Sequence, residues 1–259
     1  MRCIRTACSP QVAELRRLLV PARRLTGLRP DDRLINLEPQ EQHYLRRVLR
    51  LRAGDALGLT DGEGRYWTAR LVRPDAIALD SASDDPLDWE PSPTPLLGIA
   101  TSLMRRGSAE WLRMCCELGI DRLQPLRSAR CTPQADYRPE RWQLILQEAV
   151  EQCERLRQPD LQPLVSPEAW TPNPIAQVAV AVTRLDTAPL LERWLDDAVD
   201  AAKPVWVVVG PEGGWTDTER EMFAARAWTG VRLGPTILRS STAAVRAAVT
   251  LTSWRAACP

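Results

Sequence analysis

Two loops in the C-terminal third of the chain hold the residues best suited to chemistry. The first, Gly210-Pro211-Glu212-Gly213-Gly214, follows the apolar run Val205-Trp206-Val207-Val208-Val209 and precedes a helical pattern that begins near Thr216. Glycines let the backbone approach a ligand closely and present its amides. A loop at the carboxyl end of a parallel strand is also where α/β proteins bind ligands. The spacing is neither that of a P-loop nor the GxGxxG of a dinucleotide site; taken alone, the loop also reads as an ordinary tight turn. The second loop, 233–244, joins the turn Gly234-Pro235 to Arg239 and the hydroxyls of Ser240, Ser241 and Thr242 at the start of a helix. Unpaired amides at a helix N-terminus welcome anionic or strongly accepting groups. One of Ser240, Ser241 or Thr242 is expected to be the N-cap.

Alternating elements must hold these loops. Residues 96–101 read as a strand, and 109–118 as a helix that Gly119 can close. Leu123 belongs to the next strand. The stretch 139–156 is amphipathic, with Trp142, Ile145, Leu146, Ala149, Cys153 and Leu156 on one face. Strands at 178–182, 205–209 and 231–233 then alternate with helices at 189–199, 216–227 and 242–255. Continuously apolar strands between helices imply a parallel sheet buried on both faces. The N-terminal part differs. Strands at 55–60 and 66–72 flank the turn Asp61-Gly62-Glu63-Gly64, whose glycines accept positive φ. Pro39 can open a helix with Leu45, Val48 and Leu49 on one side. A compact β-barrel with a helix is expected over 1–80. Residues 81–95 carry four prolines and four acidic residues, suit no regular element and read as a linker to a domain at 96–259.

Composition narrows the class. With 44% hydrophobic and 26% charged residues the chain is globular. No apolar run is long enough to span a bilayer. Arg2 and Arg5 precede no apolar stretch, so no signal peptide is visible and a cytoplasmic protein without membrane partners is expected. The seven cysteines (3, 8, 115, 116, 131, 153 and 258) contain no CxxC pair, which argues against both a disulfide framework and a zinc site; no metal is expected. Cys115, Cys116 and Cys153 read as packing residues. The single histidine, His43, rules out a multi-histidine metal centre. The formal charge is +1, but residues 1–75 hold 15 arginines against 9 acidic residues, +6, which leaves −5 for the remainder. A basic N-terminal third either touches phosphates or is a solvated face in a protein whose default cation is arginine.

The segments GPEGGWTDTERE (210–221) and VRLGPTILRSSTAAVRAA (231–248) together resemble the C-terminal signature of the RsmE family, the 16S ribosomal RNA uridine-N3 methyltransferases of the SPOUT class. The likeness extends along nearly the whole chain. Residues 43–55, HYLRRVLRLRAGD, with the turn at 61–64, look like the family's PUA-like barrel; Glu117-Leu118-Gly119 and the helix segment EAVEQCER (148–155) resemble two further family elements.

The resemblance implies an α/β protein, with an N-terminal PUA-like RNA-binding β-barrel and a C-terminal parallel-sheet domain tied in a trefoil knot. It further implies a homodimer acting on 16S ribosomal RNA of the small subunit, and S-adenosylmethionine held by Gly210, Pro211, Glu212, Gly213 and Gly214 in one loop. The other loop would contribute Leu233, Gly234, Ile237, Leu238, Ser240, Thr242 and Ala243. Arg239 is the expected catalytic residue, its donor fork stabilising a uridinate as the imide proton leaves; a phosphate contact or a salt bridge is its other reading. Glu212 either faces the sulfonium or caps the neighbouring helix. Arg46, Arg47 and Arg50 are the expected RNA contacts of the barrel. Gln152 and Arg155 either touch RNA or lie on a solvated face with a Glu151–Arg155 pair. The family motif L-R-T-E-T-A here reads Leu238-Arg239-Ser240-Ser241-Thr242-Ala243, so Ser241 stands where a carboxylate is usual. A non-catalytic RNA-binding or assembly factor, or an enzyme for another RNA site, is the alternative.

Overall fold

The computed structural model describes residues 15–29, 32–132 and 137–258. Arg2, Arg5, Cys3 and Cys8 lie outside them. The chain divides into two compact units, Met1–Glu90 and Pro91–Pro259.

The first unit contains β1 (Arg17–Leu19), α1 (Ala22–Leu25), β2 (Leu34–Asn36), α2 (Pro39–His43), β3 (Ala56–Thr60), β4 (Arg65–Arg73), β5 (Ala76–Leu79) and β6 (Asp88–Trp89). Its sheet runs in the order β1-β3-β4-β5-β2, and β6 pairs with β4. Alternation places Trp67, Ala69 and Leu71 of β4 in a core with Leu57, Leu59, Ile77 and Leu79. Asp61 builds the predicted hairpin turn. Its Oδ1 accepts from the amides of Glu63 (2.8 Å) and Arg65 (3.0 Å), and Gly62 and Gly64 have φ of 76° and 108°. Two expectations change here. The helix after Pro39 passes at Tyr44 into a π-helical turn, Tyr44–Val48, which widens the repeat. Leu45 is therefore buried, but Val48 is turned out to 59% exposure. The segment 81–95 is also not wholly irregular, because β6 adds to the barrel sheet by pairing Asp88 with Tyr66.

The second unit contains β7 (Leu97–Ser102), α3 (Ser108–Leu118), β8 (Arg122–Leu126), α4 (Pro139–Cys153), β9 (Asp160–Leu161) and β10 (Gln177–Ala181). It continues with α5 (Leu191–Ala198), β11 (Val205–Val209), α6 (Asp217–Ala225), β12 (Thr229–Val231) and α7 (Ser240–Ala257). The sheet order is β12-β10-β11-β7-β8-β9, and every pair is parallel. All five residues of β11 are buried, as the apolar run requires. Gly98 of β7 lies under the indole of Trp206, where a Cβ would come within 2.3 Å of the ring. Beyond it, Trp170 contacts Trp206 (5.2 Å) and Trp228 (5.3 Å), Phe223 stacks on Trp228 (5.3 Å), and Trp215 meets Phe223 edge-on (4.9 Å).

α7 packs against α3 and α5 and lies over β7 and β11 through Ala243, Ala244, Ala247, Ala248 and Leu251. Small side chains let that helix approach the sheet closely. Its far end is anchored by the buried Asp121, which accepts from the Leu97 amide (2.9 Å) and from Arg155 and Arg255. Burial pushes the Asp121 carboxyl up, against the pull of Arg255 and Arg155. α4 stops at Cys153 rather than continuing to residue 156, because Glu154 adopts φ of 61°. β12 lies two residues earlier than expected, which leaves Leu233 in the following loop.

Candidate functional site

Three loops at the carboxyl ends of β10, β11 and β12 enclose a cleft of about 420 Å³. Its size falls within the roughly 300–1,000 Å³ typical of ligand sites. Hydrogen bonds hold the loops to one another. Ser240 Oγ donates to the Gly210 carbonyl at 2.9 Å, joining the β11 loop to the first turn of α7. The Arg232 guanidinium donates to the Ala188 carbonyl (2.9 Å), and the Leu191 amide donates to the Arg232 carbonyl (2.9 Å). The β10 loop is thereby tied to the loop that follows β12.

The β11 loop is braced from behind. Arg130 donates to the carbonyls of Gly213 (3.2 Å) and Trp215 (3.4 Å). Thr216 caps α6, and the buried Glu219 completes the capping box while accepting from the Ala129 amide at 3.0 Å. Gly210 is required for packing, since a Cβ there would come within 2.9 Å of the Trp215 ring. Trp215 borders the cleft, and its buried indole nitrogen has no hydrogen-bond partner among the described residues. Asp186 is the one carboxylate of the lining, against Arg184, Arg220 and Arg232. Arg220 hydrogen-bonds Asp217 and, with its charge, holds that carboxyl below the usual range.

The expected cofactor residues divide in two. Gly210, Gly214, Leu233, Gly234, Ile237, Leu238, Ser240 and Ala243 line the cleft; Pro211, Glu212, Gly213 and Thr242 do not. Pro211 is buried, and Glu212 is exposed. The position a Cβ would take at Gly213 faces Arg130 at 3.1 Å, away from the cleft. Thr242 is exposed, because two residues of helical rotation carry it round from Ser240. The expected hydroxyl N-cap is also absent: Arg239 occupies that position without a side-chain cap, and Ser240 spends its hydroxyl on Gly210. Arg239 is exposed at the rim, between two residues that line the cleft.

Among the expected RNA contacts, Arg46, Arg47 and Arg50 are exposed in the first unit, and Gln152 is exposed on α4. Arg155 is turned inward instead. It donates to the carbonyls of Cys116 (2.7 Å) and Ile120 (2.8 Å) and pairs with Asp121, and its side chain is 17% exposed. Beside it, a hydrogen bond from Cys116 and the nearby Arg155 pull the Cys153 thiol down to about 6. Sequence reasoning missed the β10 loop, 182–186, although the rule applied to the run 205–209 also covers a loop following the strand at 178–182. Among the described residues, no group of three or more His, Cys, Asp or Glu side chains is placed to hold a metal ion.

Comparison with known proteins agrees with this layout. The RNA methyltransferase domain family matches residues 90–252, and the RNA methyltransferase PUA domain matches residues 37–81. Ribosomal RNA small subunit methyltransferase E of Synechocystis is 35% identical over 81% of this chain and 69% of its own length. The chain belongs to the ribosomal RNA small subunit methyltransferase E family. Its counterpart from Mycobacterium bovis is 29% identical over 80% of this chain and 82% of its own. The methyltransferase E of Neisseria gonorrhoeae, solved with S-adenosyl methionine bound, superposes with a TM-score of 0.75 at 26% identity. That likeness covers 93% of this chain and 98% of the other. For this member of the family the fold class is therefore a PUA-type domain followed by a parallel-sheet domain of the SPOUT type.

Proposed function

We propose that this protein transfers a methyl group from S-adenosylmethionine to N3 of a uridine in 16S ribosomal RNA of the small subunit. One observation carries the reading: a chain of this family closes a ligand-sized cleft with the two loops that bear the family signature. The lining fits the cofactor. Val209, Leu238 and Ala243 offer apolar surface, and Trp215 adds an aromatic ring. Asp186 can face a cation, and the arginines of the rim can face a carboxylate. Gly210, Gly214, Leu233, Gly234, Ile237, Leu238, Ser240 and Ala243 are the residues that would hold it.

When bound, S-adenosylmethionine supplies an already activated methyl on a positively charged sulfur. The protein's own work is to position the base and stabilise the anion left when the N3 proton departs. Arg239 would stabilise that anion: its position before the first turn of α7, between two cleft-lining residues, and a planar fork suited to the imide oxygens support the role. Ser240 holds the first turn of α7 against the Gly210 loop, so the backbone that carries Arg239 keeps a fixed relation to the cleft. Arg46, Arg47 and Arg50 supply exposed charge for RNA phosphates on the PUA-type unit, and Gln152 can reach RNA from α4.

The protein works as a homodimer in the cytoplasm. Family membership supports the dimer, as do the exposed apolar side chains Ile237 (63%) and Leu185 (47%) at the rim of the cleft. No helix among the described residues is long and apolar enough to cross a membrane. Incubating the protein with labelled S-adenosylmethionine and small ribosomal subunits, then mapping the product nucleoside, tests the function. N3-methyluridine is the expected product. Tight cofactor binding without methyl transfer to any small-subunit substrate would replace the enzyme by an RNA-binding factor of the same fold.

A further inference from the structure

A second cleft, of about 310 Å³, opens between the start of α3 and the start of α4. Arg105, Arg106, Arg138 and Arg141 line it, with Glu110 as the one acidic residue of the lining. All four arginines are exposed, and Arg105, Arg106 and Arg141 make no ion pair or hydrogen bond among the described residues. Elsewhere in this unit, arginines are commonly engaged: Arg130, Arg155, Arg226, Arg232 and Arg255 all donate to carbonyls. Unpaired guanidiniums gathered round one concavity repel each other, an arrangement relieved by an incoming anion. The floor is firm, because Trp142 is buried and meets Trp111 edge-on at 6.0 Å. The N-terminus of α3 has no side-chain cap and adds its positive dipole end.

Position gives the cleft its meaning. Gly107, which ends the arginine loop, lies against the first turn of α7: a Cβ there would sit 3.3 Å from Ser241 Cβ. Arg239 is two residues away along the chain. An anion held by Arg105 and Arg106 would thus lie next to the place where the target base must present itself. From this geometry we infer that Arg105, Arg106 and Arg141 grip the sugar-phosphate backbone of the RNA beside the methylated nucleotide and act as substrate-positioning residues. The inference rests on the methyl-transfer reading for the identity of the RNA.

Binding of a 16S ribosomal RNA fragment to the full-length protein, measured across a salt series, tests it. The triple variant Arg105→Ala, Arg106→Ala, Arg141→Ala should bind about 10- to 100-fold more weakly. Its log–log salt slope should fall by roughly 0.7 for each phosphate that the variant no longer neutralises. Cofactor titration and circular dichroism should be unchanged, and KM for RNA should rise while kcat is largely kept. The corresponding triple lysine variant keeps the charges and should keep the slope. An unchanged slope in the alanine variant would overturn the inference, as would a lysine variant that flattens the slope as far. A wild-type protein that binds this RNA but transfers no methyl would refute the proposed activity, while the slopes would still decide the clamp.

Discussion

Replacing Ser240 by alanine tests the hydrogen bond that joins the β11 loop to α7. The hydroxyl lies 2.9 Å from the Gly210 carbonyl, and Ser240 is 5% exposed, so water does not readily take its place. Leaving a buried acceptor unpaired costs about 1–3 kcal/mol. Gly210 is only half-buried and its carbonyl has a second lone pair, which puts the cost near the lower end, about 1 kcal/mol. For a unit of this size that amounts to a fall in Tm of about 2–4 °C. If the loss falls wholly on the closed cleft, affinity for S-adenosylmethionine drops about 5-fold, since 1.4 kcal/mol is a factor of ten. Ser240→Thr keeps a hydroxyl and should restore both values. Calorimetric titration and thermal unfolding of the three proteins measure the effect. Unchanged affinity in Ser240→Ala would refute the claim that this bond shapes the cofactor site.

Further outcomes follow from the same geometry. Arg239→Ala should keep cofactor affinity, because the side chain lies outside the cleft lining, yet lose roughly 100-fold or more in methyl transfer; Arg239→Lys should rescue poorly in the same assay. Changing Arg46, Arg47 and Arg50 to alanine should weaken RNA binding and flatten its salt dependence without altering cofactor titration. Iodoacetamide labelling of Cys153, followed by peptide mapping over a pH series, should reach half its maximal rate at about pH 6, where the thiol is half ionised. A rate still climbing towards the ordinary thiol pKa of about 8.5 would contradict the influence of Cys116 and Arg155. Gly213→Ala should disturb Arg130 rather than the ligand, and thermal unfolding should register it more strongly than cofactor titration does.

Periodicity and punctuation made the architecture legible. The uninterrupted run 205–209 could only be a strand covered on both faces, and Gly119 marked the end of α3 as a left-handed cap with φ of 100°. Loop position followed from the same reasoning, which is why eight of the twelve expected cofactor residues line the cleft. The residues placed away from the cleft or the surface have a common cause: a sequence shows which residues are near in chain, not which way a side chain points. Thr242 stands beside Ser241 in the sequence but on the outer side of α7. Gly213 belongs to the ligand loop but packs on Arg130, which is 83 residues away. Arg155 reads as a surface cation until Cys116, Ile120 and Asp121 are folded around it. Val48 fails for a local reason, because a π-helical turn changes the repeat on which its placement depended.

The aromatic chain behind the sheet gives this protein an optical handle. Trp206, Trp170, Trp228, Phe223 and Trp215 stand ring to ring in that order, each step between 4.9 and 5.3 Å. Light absorbed by one of these indoles is shared readily with its neighbours, so their emission is collective. Trp215 is the member of this aromatic row that borders the cleft. A ligand that quenches its ring drains excitation from the other indoles as well. Occupancy of the cleft is thus written into the intrinsic fluorescence of the protein, without any added dye.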